Sequence, residues 1–375
     1  MQTRTIPQLK DVAKDAGVSL TTASIILRNG SGRFQDDTKQ RVFDAARKLG
    51  WRRNLLVEGI QTGRSRTVGI LVPPFDSYWK DILTGIHREL IGRNYMPITL
   101  WTGEAYTRFA DRRDDDSVQE GRCLINMLVD RRIEGIITWP DIADDYSGYL
   151  HDLLNRNLPV VTIDHEFAGK QITDSVQTDE EQGGMLVAQH LVGLGHRNIA
   201  FFTEFEKPAR SWQFKRQKYF EFALHTLARD ITYKSWHMKS DKDDDGVEVA
   251  RGILSSPGRP TAIFADTDHV AIDVYNAAMD LGMRIPQDIS VVGFSDLDFV
   301  RGMRPPLTTV RQNGLEVGRH AARLIQQRIE QKTNDQPHVV KVGCELMVRG
   351  STAGQEKQLN GCEAGCVSAD PAKTM

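Results

Sequence analysis

The stretch LKDVAKDAGVSLTTASIILRNG, residues 9–30, decides how this chain is read. Leu9, Val12, Ala13 and Ala16 recur at i, i+3, i+4 and i+7, which makes one apolar helix face. Gly17 suits the left-handed position that stops a helix, and Ser19 can accept from the unpartnered amides that begin the next one. Leu20, Ala23 and Leu27 then repeat at helical spacing. After a loop, Asp37 can cap a third helix, with Gln40 three residues on. Val42, Ala45, Ala46 and Leu49 form the inner face of that helix before Gly50. Each helix is too short to stand alone, but three around one small core can be stable. The short break at Gly17 is that of a helix-turn-helix, whose second helix enters the major groove of duplex DNA.

Charge points the same way. The net charge of -2 hides an asymmetry: residues 1–66 carry 13 Lys+Arg against 6 Asp+Glu, and the rest carry 35 against 44. A basic head on an acidic body suits a polyanion partner, although a merely solvated basic end would look the same. On the second helix, Thr21, Thr22, Ser24 and Ile25 form the outer face. Hydroxyls can bond base edges or phosphates, while Ile25 can only make apolar contact with a thymine methyl. A surface three-helix bundle with no DNA role is the plainer alternative.

At 375 residues two or three domains are expected. Apolar content is 40% and mean hydropathy is -0.41, as for a soluble globular chain. No apolar run approaches the roughly 18 residues needed to span a bilayer. MQTRTIPQLKD has no stretch resembling a signal peptide, so a cytoplasmic protein is expected. Four cysteines make no disulfide framework.

From Thr67 the pattern changes. TVGILVP, MPITLW, IEGIITW, PVVTID, NIAFFT, TAIFAD and ISVVGF are short β-rich apolar runs, and helical stretches separate most of them. Strands alternating with helices mean parallel sheets covered on both faces. A body of roughly 285 residues exceeds one comfortable α/β unit and suggests two lobes. Ligands of such sheets bind beyond the carboxyl ends of the strands, here in the cleft between lobes.

LKDVAKDAGVSLTTAS, RVFDAARKLGWRRNLL and TGRSRTVGILVP, in that order, resemble the lactose/galactose repressor family of bacterial transcription regulators. HLVGLGHRNIAFF, RPTAIFADTD, IPQDISVVGFSD and PPLTTVRQNGLEVGRHAARLI extend the likeness to about Thr352. The resemblance implies an α/β fold: a three-helix helix-turn-helix domain at residues 1–50, a hinge at 51–65 and a two-lobed body at 66–352. That body resembles a periplasmic sugar-binding protein. Lobe 1 is expected at about 66–165 plus 312–335, and lobe 2 at 166–311 plus 336–352, with crossings near Asp164, Gln312 and Gln336. Residues 353–375 read as a disordered Gly/Ala/Ser-rich tail.

The resemblance places base readers at Leu20, Thr21 and Ile25. Leu9, Ser19, Thr22, Ser24, Arg28, Asn29, Arg53 and Asn54 join them as DNA-contacting candidates. The third reader position often holds arginine in the family, so Ile25 implies a different operator half-site. Asn54 can cap a hinge helix from Leu55 to about Gln61, ended by Gly63. Ile60 stands where the family wedges a leucine into the minor groove. Arg53 replaces the usual proline, and Arg52, Arg53, Arg64 and Arg66 can neutralise phosphates.

Cleft candidates follow the strands. Asp76, Ser77, Tyr78 and Trp79 come after GILVP, and an aromatic face with a carboxylate suits a polyol. Asp164 ends VVTID. Arg216 matches the family's ligand-gripping arginine. Thr267 and Asp268 stand where the family usually has Asn-Asp, and Ser295 falls on its ligand-binding aspartate, with Asp296 beside it. The structural alternatives stay open: the aspartates as caps, Tyr78 and Trp79 as core, Arg216 as an ion pair.

Other chemistry is missing. Asp241–Gly246 imitates the start of a calcium loop, but Gly252 stands where the closing Glu would be. GFSDL lacks the second glycine of a nucleophile elbow. Cys362 and Cys366 have no further partners to complete a metal site. No phosphate loop appears. The expectation is therefore a homodimeric, ligand-responsive regulator, a repressor before an activator. Its partners would be double-stranded operator DNA and a small effector, a carbohydrate first and a purine second, with no cofactor and no membrane. A sugar-transport receptor would need an export signal and no basic head. An enzyme would need an acid/base pair in the cleft.

Overall fold

The structure, a computed structural model, describes residues 7–29, 34–53, 59, 62–72, 77–101, 115–140, 144–165, 171–204, 211–238, 245–331 and 336–355. The chain divides into two compact units, Met1–Ser65 and Arg66–Met375.

In the first unit, α1 (Leu9–Asp15), α2 (Leu20–Asn29) and α3 (Asp36–Leu49) surround Val12, Ala13, Ala16, Ala23, Ile26, Val42, Ala45 and Ala46. Gly17 and Gly50 take positive φ, +66° and +65°, at the ends of α1 and α3. Ser19 Oγ accepts the Thr22 amide at 3.0 Å. Two expectations change. The inner face of α2 uses Ile26, 1% exposed, because Leu20 points outward at 53%. Asp37 does not cap α3, which starts at Asp36 after Gln35 with no side-chain cap. Asp37 pairs instead with Arg41 at 3.3 Å, one turn on. In the hinge only residues 51–53, Gly59 and residues from Thr62 on are described; Asn54 and Ile60, with most of the expected helix, lie outside the described residues.

The second unit holds two six-stranded sheets. The first contains β1 (Thr67–Val72), β2 (Met96–Trp101), β3 (Gly135–Thr138), β4 (Val160–Ile163), β5 (Asp174–Thr178) and β11 (Val339–Val342), in the order β11-β5-β4-β3-β1-β2. All its pairings are parallel. Helices α4 (Ser77–Gly92) and α11 (Gly314–Gln331) cover one face; α5 (Asp115–Asp130) and α6 (Asp144–Asn155) cover the other. The second sheet contains β6 (Asn198–Thr203), β7 (Thr232–His237), β8 (Ala262–Ala265), β9 (Ser290–Ser295), β10 (Thr308–Gln312) and β12 (Cys344–Met347), in the order β12-β10-β9-β8-β6-β7. Only β12 runs antiparallel to its neighbour. Helices α7 (Glu180–Gly193) and α8 (Ser211–Leu227) cover one face, α9 (Asp245–Ser255) and α10 (Asp268–Asp280) the other.

The sheets set lobe boundaries that differ from those expected. The chain crosses between lobes after Thr178 rather than at Asp164, after Gln312 as expected, and at Gly343 rather than at Gln336. The cause is β5. Its sequence, DSVQT, has one aliphatic residue, yet all five residues are buried. Polar bonds replace apolar packing: Arg328 grips Asp174 at 2.6 Å, and Ser175 and Gln177 donate to the His165 carbonyl. Residues 353–355, expected in a disordered tail, are pinned to lobe 2. The Ala353 carbonyl bonds His196 Nε2 at 3.0 Å, and the Gln355 amide donates to the Leu194 carbonyl. Residues 356–375 lie outside the described residues.

Candidate functional site

On the head, Thr21, Ile25 and Arg28 are exposed on α2 together with Leu20. Ile25, at 39%, and Leu20, at 53%, are apolar knobs on a surface that also shows the Thr21 hydroxyl and Arg28. Thr22 and Ser24 are half-buried. Ser19 and Thr22 are partly spent on each other, their hydroxyls 2.8 Å apart. Leu9 packs against the small core rather than projecting from it. Asn29 closes α2 by its backbone, and Arg53 is exposed beyond α3. Lys48 pairs with Asp15 at 2.8 Å, tying α3 to α1.

In the second unit, strand ends at the lobe crossings bring one polar chain together. Tyr78, in the first turn of α4, touches the apolar clusters of both lobes. Its hydroxyl donates to Asp164 Oδ2 at 2.5 Å and lies 2.9 Å from Thr178 Oγ1. Asp164 Oδ1 accepts the Thr178 amide at 2.7 Å. Gln312 Nε2, at the second crossing, reaches Thr178 Oγ1 and Glu180 Oε1, each at 3.3 Å. Glu180 Oε2 accepts Arg216 Nε at 2.8 Å. Arg216 then meets the Asp266 carbonyl and its Oδ1, the latter at 3.3 Å. Asp266 Oδ2 accepts Thr203 Oγ1 at 2.8 Å. The guanidinium also lies over the Phe294 ring, 3.5 Å from its centroid.

Burial governs the electrostatics. It pushes Glu180 up to about 7, although Arg216 pulls it down. Asp164 and Asp266 rise for the same first reason. Tyr78 rises well above its ordinary value through burial and the facing Asp164 charge. Burial lowers Arg216, but Glu180 and Asp266 more than offset that, so it stays charged.

The other cleft candidates take structural roles. Trp79 is 6% exposed in the lobe 1 core, edge-on to Trp139 at 5.5 Å. Thr267 caps α10 by accepting the Val270 amide. Asp268 is fully buried and bonded to Thr309 Oγ1 and the Leu297 amide, and burial pushes it up to about 7. Asp296 pairs with Arg311 at 2.8 Å and with Arg349, so it is not offered to the cleft. Ser295 ends β9 with φ +120° and Asp296 follows at +55°. Ser77 Oγ accepts the Asp298 amide at 3.1 Å, from the 3-10 turn Asp298–Arg301 of the other lobe. Asp76 lies outside the described residues. Glu180, Asp266, Thr178 and Gln312 were not foreseen. Asp266 stands inside the quoted IFAD run, but DEEQGG around Glu180 reads as an exposed helix start.

Residues 8–54 match the model for bacterial regulatory proteins of the lacI family, and residues 188–352 match a periplasmic binding protein-like domain. This pairing, a lacI-family head before a periplasmic binding protein-like body, bears out the resemblance to the lactose/galactose repressor family. It is a DNA-binding transcription regulator, not an enzyme. Among lacI-family relatives, the HTH-type transcriptional repressor PurR of Vibrio vulnificus is 29% identical over 347 residues, 91% of this chain and 97% of its own. PurR of Erwinia tasmaniensis is 28% identical over 349 residues, 92% and 96%. The Lac repressor dimer bound to operator and the anti-inducer ONPF shares the fold with a TM-score of 0.74, at 22% identity and 93% and 99% coverage. A lacI-family regulator of Enterococcus faecium, solved with bound ribose, has a TM-score of 0.61, 24% identity and 77% and 99% coverage.

Proposed function

We propose that this lacI-family regulator is a homodimeric repressor that binds operator DNA through its head. Its small effector binds where Tyr78, Asp164, Thr178, Gln312, Glu180 and Arg216 converge. The observation that carries the reading is that convergence: the chain of hydrogen bonds runs through two of the three crossings between lobes. A molecule competing for those bonds has different affinity for different lobe arrangements, which is what a ligand needs in order to shift an equilibrium. A carbohydrate fits best, since the Tyr78 ring and the Asp164 carboxylate offer an apolar face beside an acceptor for hydroxyls. A purine is the second reading, favoured by the PurR relatives. Dimerisation is supported by β2, an edge strand whose Met96 and Trp101 are 65% and 49% exposed, near Ile91 at 60%.

Fluorescence anisotropy of the full chain on duplex fragments upstream of its own and neighbouring genes tests the head. Binding should weaken steeply with salt. Ile25→Glu, which sets a carboxylate on the exposed face of α2, should lower affinity at least 100-fold without changing the melting temperature. Fragments bound equally by wild type and I25E would refute the assignment. A thermal-shift panel of sugars and purine bases then identifies the effector class through a raised melting temperature.

A further inference from the structure

Arg216 is 2% exposed, yet it is not held ready for an incoming anion. Glu180, 4% exposed, already holds its Nε, and three features keep that carboxylate in place. Gln312 Nε2 donates to its second oxygen. Glu180 is the first residue of α7, where the helix dipole favours negative charge. The Phe294 ring beneath the guanidinium fixes the plane of the partner it must meet. Among the described residues of this cluster, two carboxylates, Glu180 and Asp266, pair with one guanidinium, and a third, Asp164, feels its charge.

We propose that Glu180 is a resident counter-ion that occupies the anion position on Arg216 and thereby restricts the effector to uncharged, hydrogen-bonding molecules. The inference rests on the reading of this cleft as the effector site and adds a specificity-determining residue to it. A phosphorylated or carboxylate-bearing molecule would have to displace Glu180 from Arg216. It would then lie against Asp266 and Asp164, in a setting where unpaired charge is costly. An uncharged polyol or base exchanges one set of hydrogen bonds for another and leaves the ion pair intact. Discrimination against anions is thus set by repulsion that the site already contains.

The test uses paired probes that differ only in charge: ribose with ribose 5-phosphate, and guanosine with guanosine 5′-monophosphate. Affinities for the full chain are measured by calorimetry and thermal shift at a pH above the value of about 7 to which burial pushes Glu180, so that the counter-ion carries its charge. The wild type should bind the uncharged member of a pair at least tenfold more tightly. Glu180→Gln, which keeps shape and removes charge, should gain at least tenfold for the phosphorylated member, while Glu180→Asp should keep the wild-type preference. Wild-type binding to a phosphorylated member as tight as to its partner overturns the proposal and leaves the effector site standing. An unchanged preference in E180Q also overturns it. If the wild type binds neither member of either pair, nor any member of the wider panel, the effector-site reading fails and takes this inference with it. The wild-type comparison does not depend on either variant folding.

Discussion

Glu180 and Asp268 are carboxyls that burial has pushed up to about 7. A group whose pKa is higher folded than unfolded stabilises the native state most at low pH. That contribution is lost as pH rises through the folded value. His196 works in the opposite sense: burial lowers it to about 4, so it favours the fold above its unfolded value and withdraws that support on acidification. The histidine's support is gained mainly around its unfolded value of roughly 6.5 and fades above it, where the two carboxyls dominate the slope. The melting temperature should therefore fall between pH 6.5 and 8. The fall should be shallower in E180Q, whose amide does not titrate; a slope identical to the wild type would show that Glu180 is ionised throughout. The sequence marked Asp268 as a candidate but could not say that its two oxygens were already committed to Thr309 and Leu297. Side-chain commitment depends on what arrives from residues 29 and 41 positions away.

At the scale of elements, α4 and α11 cross with almost no space between their backbones. A β-carbon on Gly318 would collide with the Ile82 carbonyl, and one on Gly85 with the Leu315 carbonyl. The close crossing matters to the site because α4 begins at Ser77–Tyr78 and α11 begins beside Gln312. Gly318→Ala should lower unfolding stability by about 2 kcal/mol through overpacking, measured by urea denaturation. The helices of the head and the seven apolar runs of the body were legible because each keeps its own period. β5 was not, because its burial is supported by polar partners, and β7 was not, because at the sheet edge it buries little. β10, β11 and β12 are short and lie among helix and turn signals, and only pairing across the chain makes strands of them.

At the scale of the two-lobed body, specific polar contacts join the lobes. Besides the polar chain at the crossings, α4 meets the 3-10 turn of lobe 2: Ser77 Oγ accepts the Asp298 amide, and Lys80 pairs with the Asp298 carboxylate at 2.9 Å. The ion pair is solvent-exposed and contributes little by itself. The amide is the better reporter of whether the lobes stay together. Ser77→Ala should speed hydrogen exchange of the Asp298 amide at least fivefold, while the adjacent Leu297 amide, held by Asp268 within lobe 2, stays as slow as before. Equal acceleration of both would mean that lobe 2 itself loosens. Among the described residues no helix is long and apolar enough to cross a membrane.

The sequence alone determined the helix-turn-helix head, the α/β class of the body and the segments from which the cleft is built. Those features are written in local periods, capping residues and turn glycines, which act over a few residues at a time. Only the tertiary structure decided where the chain changes lobes and that Arg216 is held by Glu180. It also decided which aspartates are spent on internal bonds. Those outcomes depend on partners tens of residues apart, and burial, which sets the cost of every unpaired charge, exists only once the sheets have assembled.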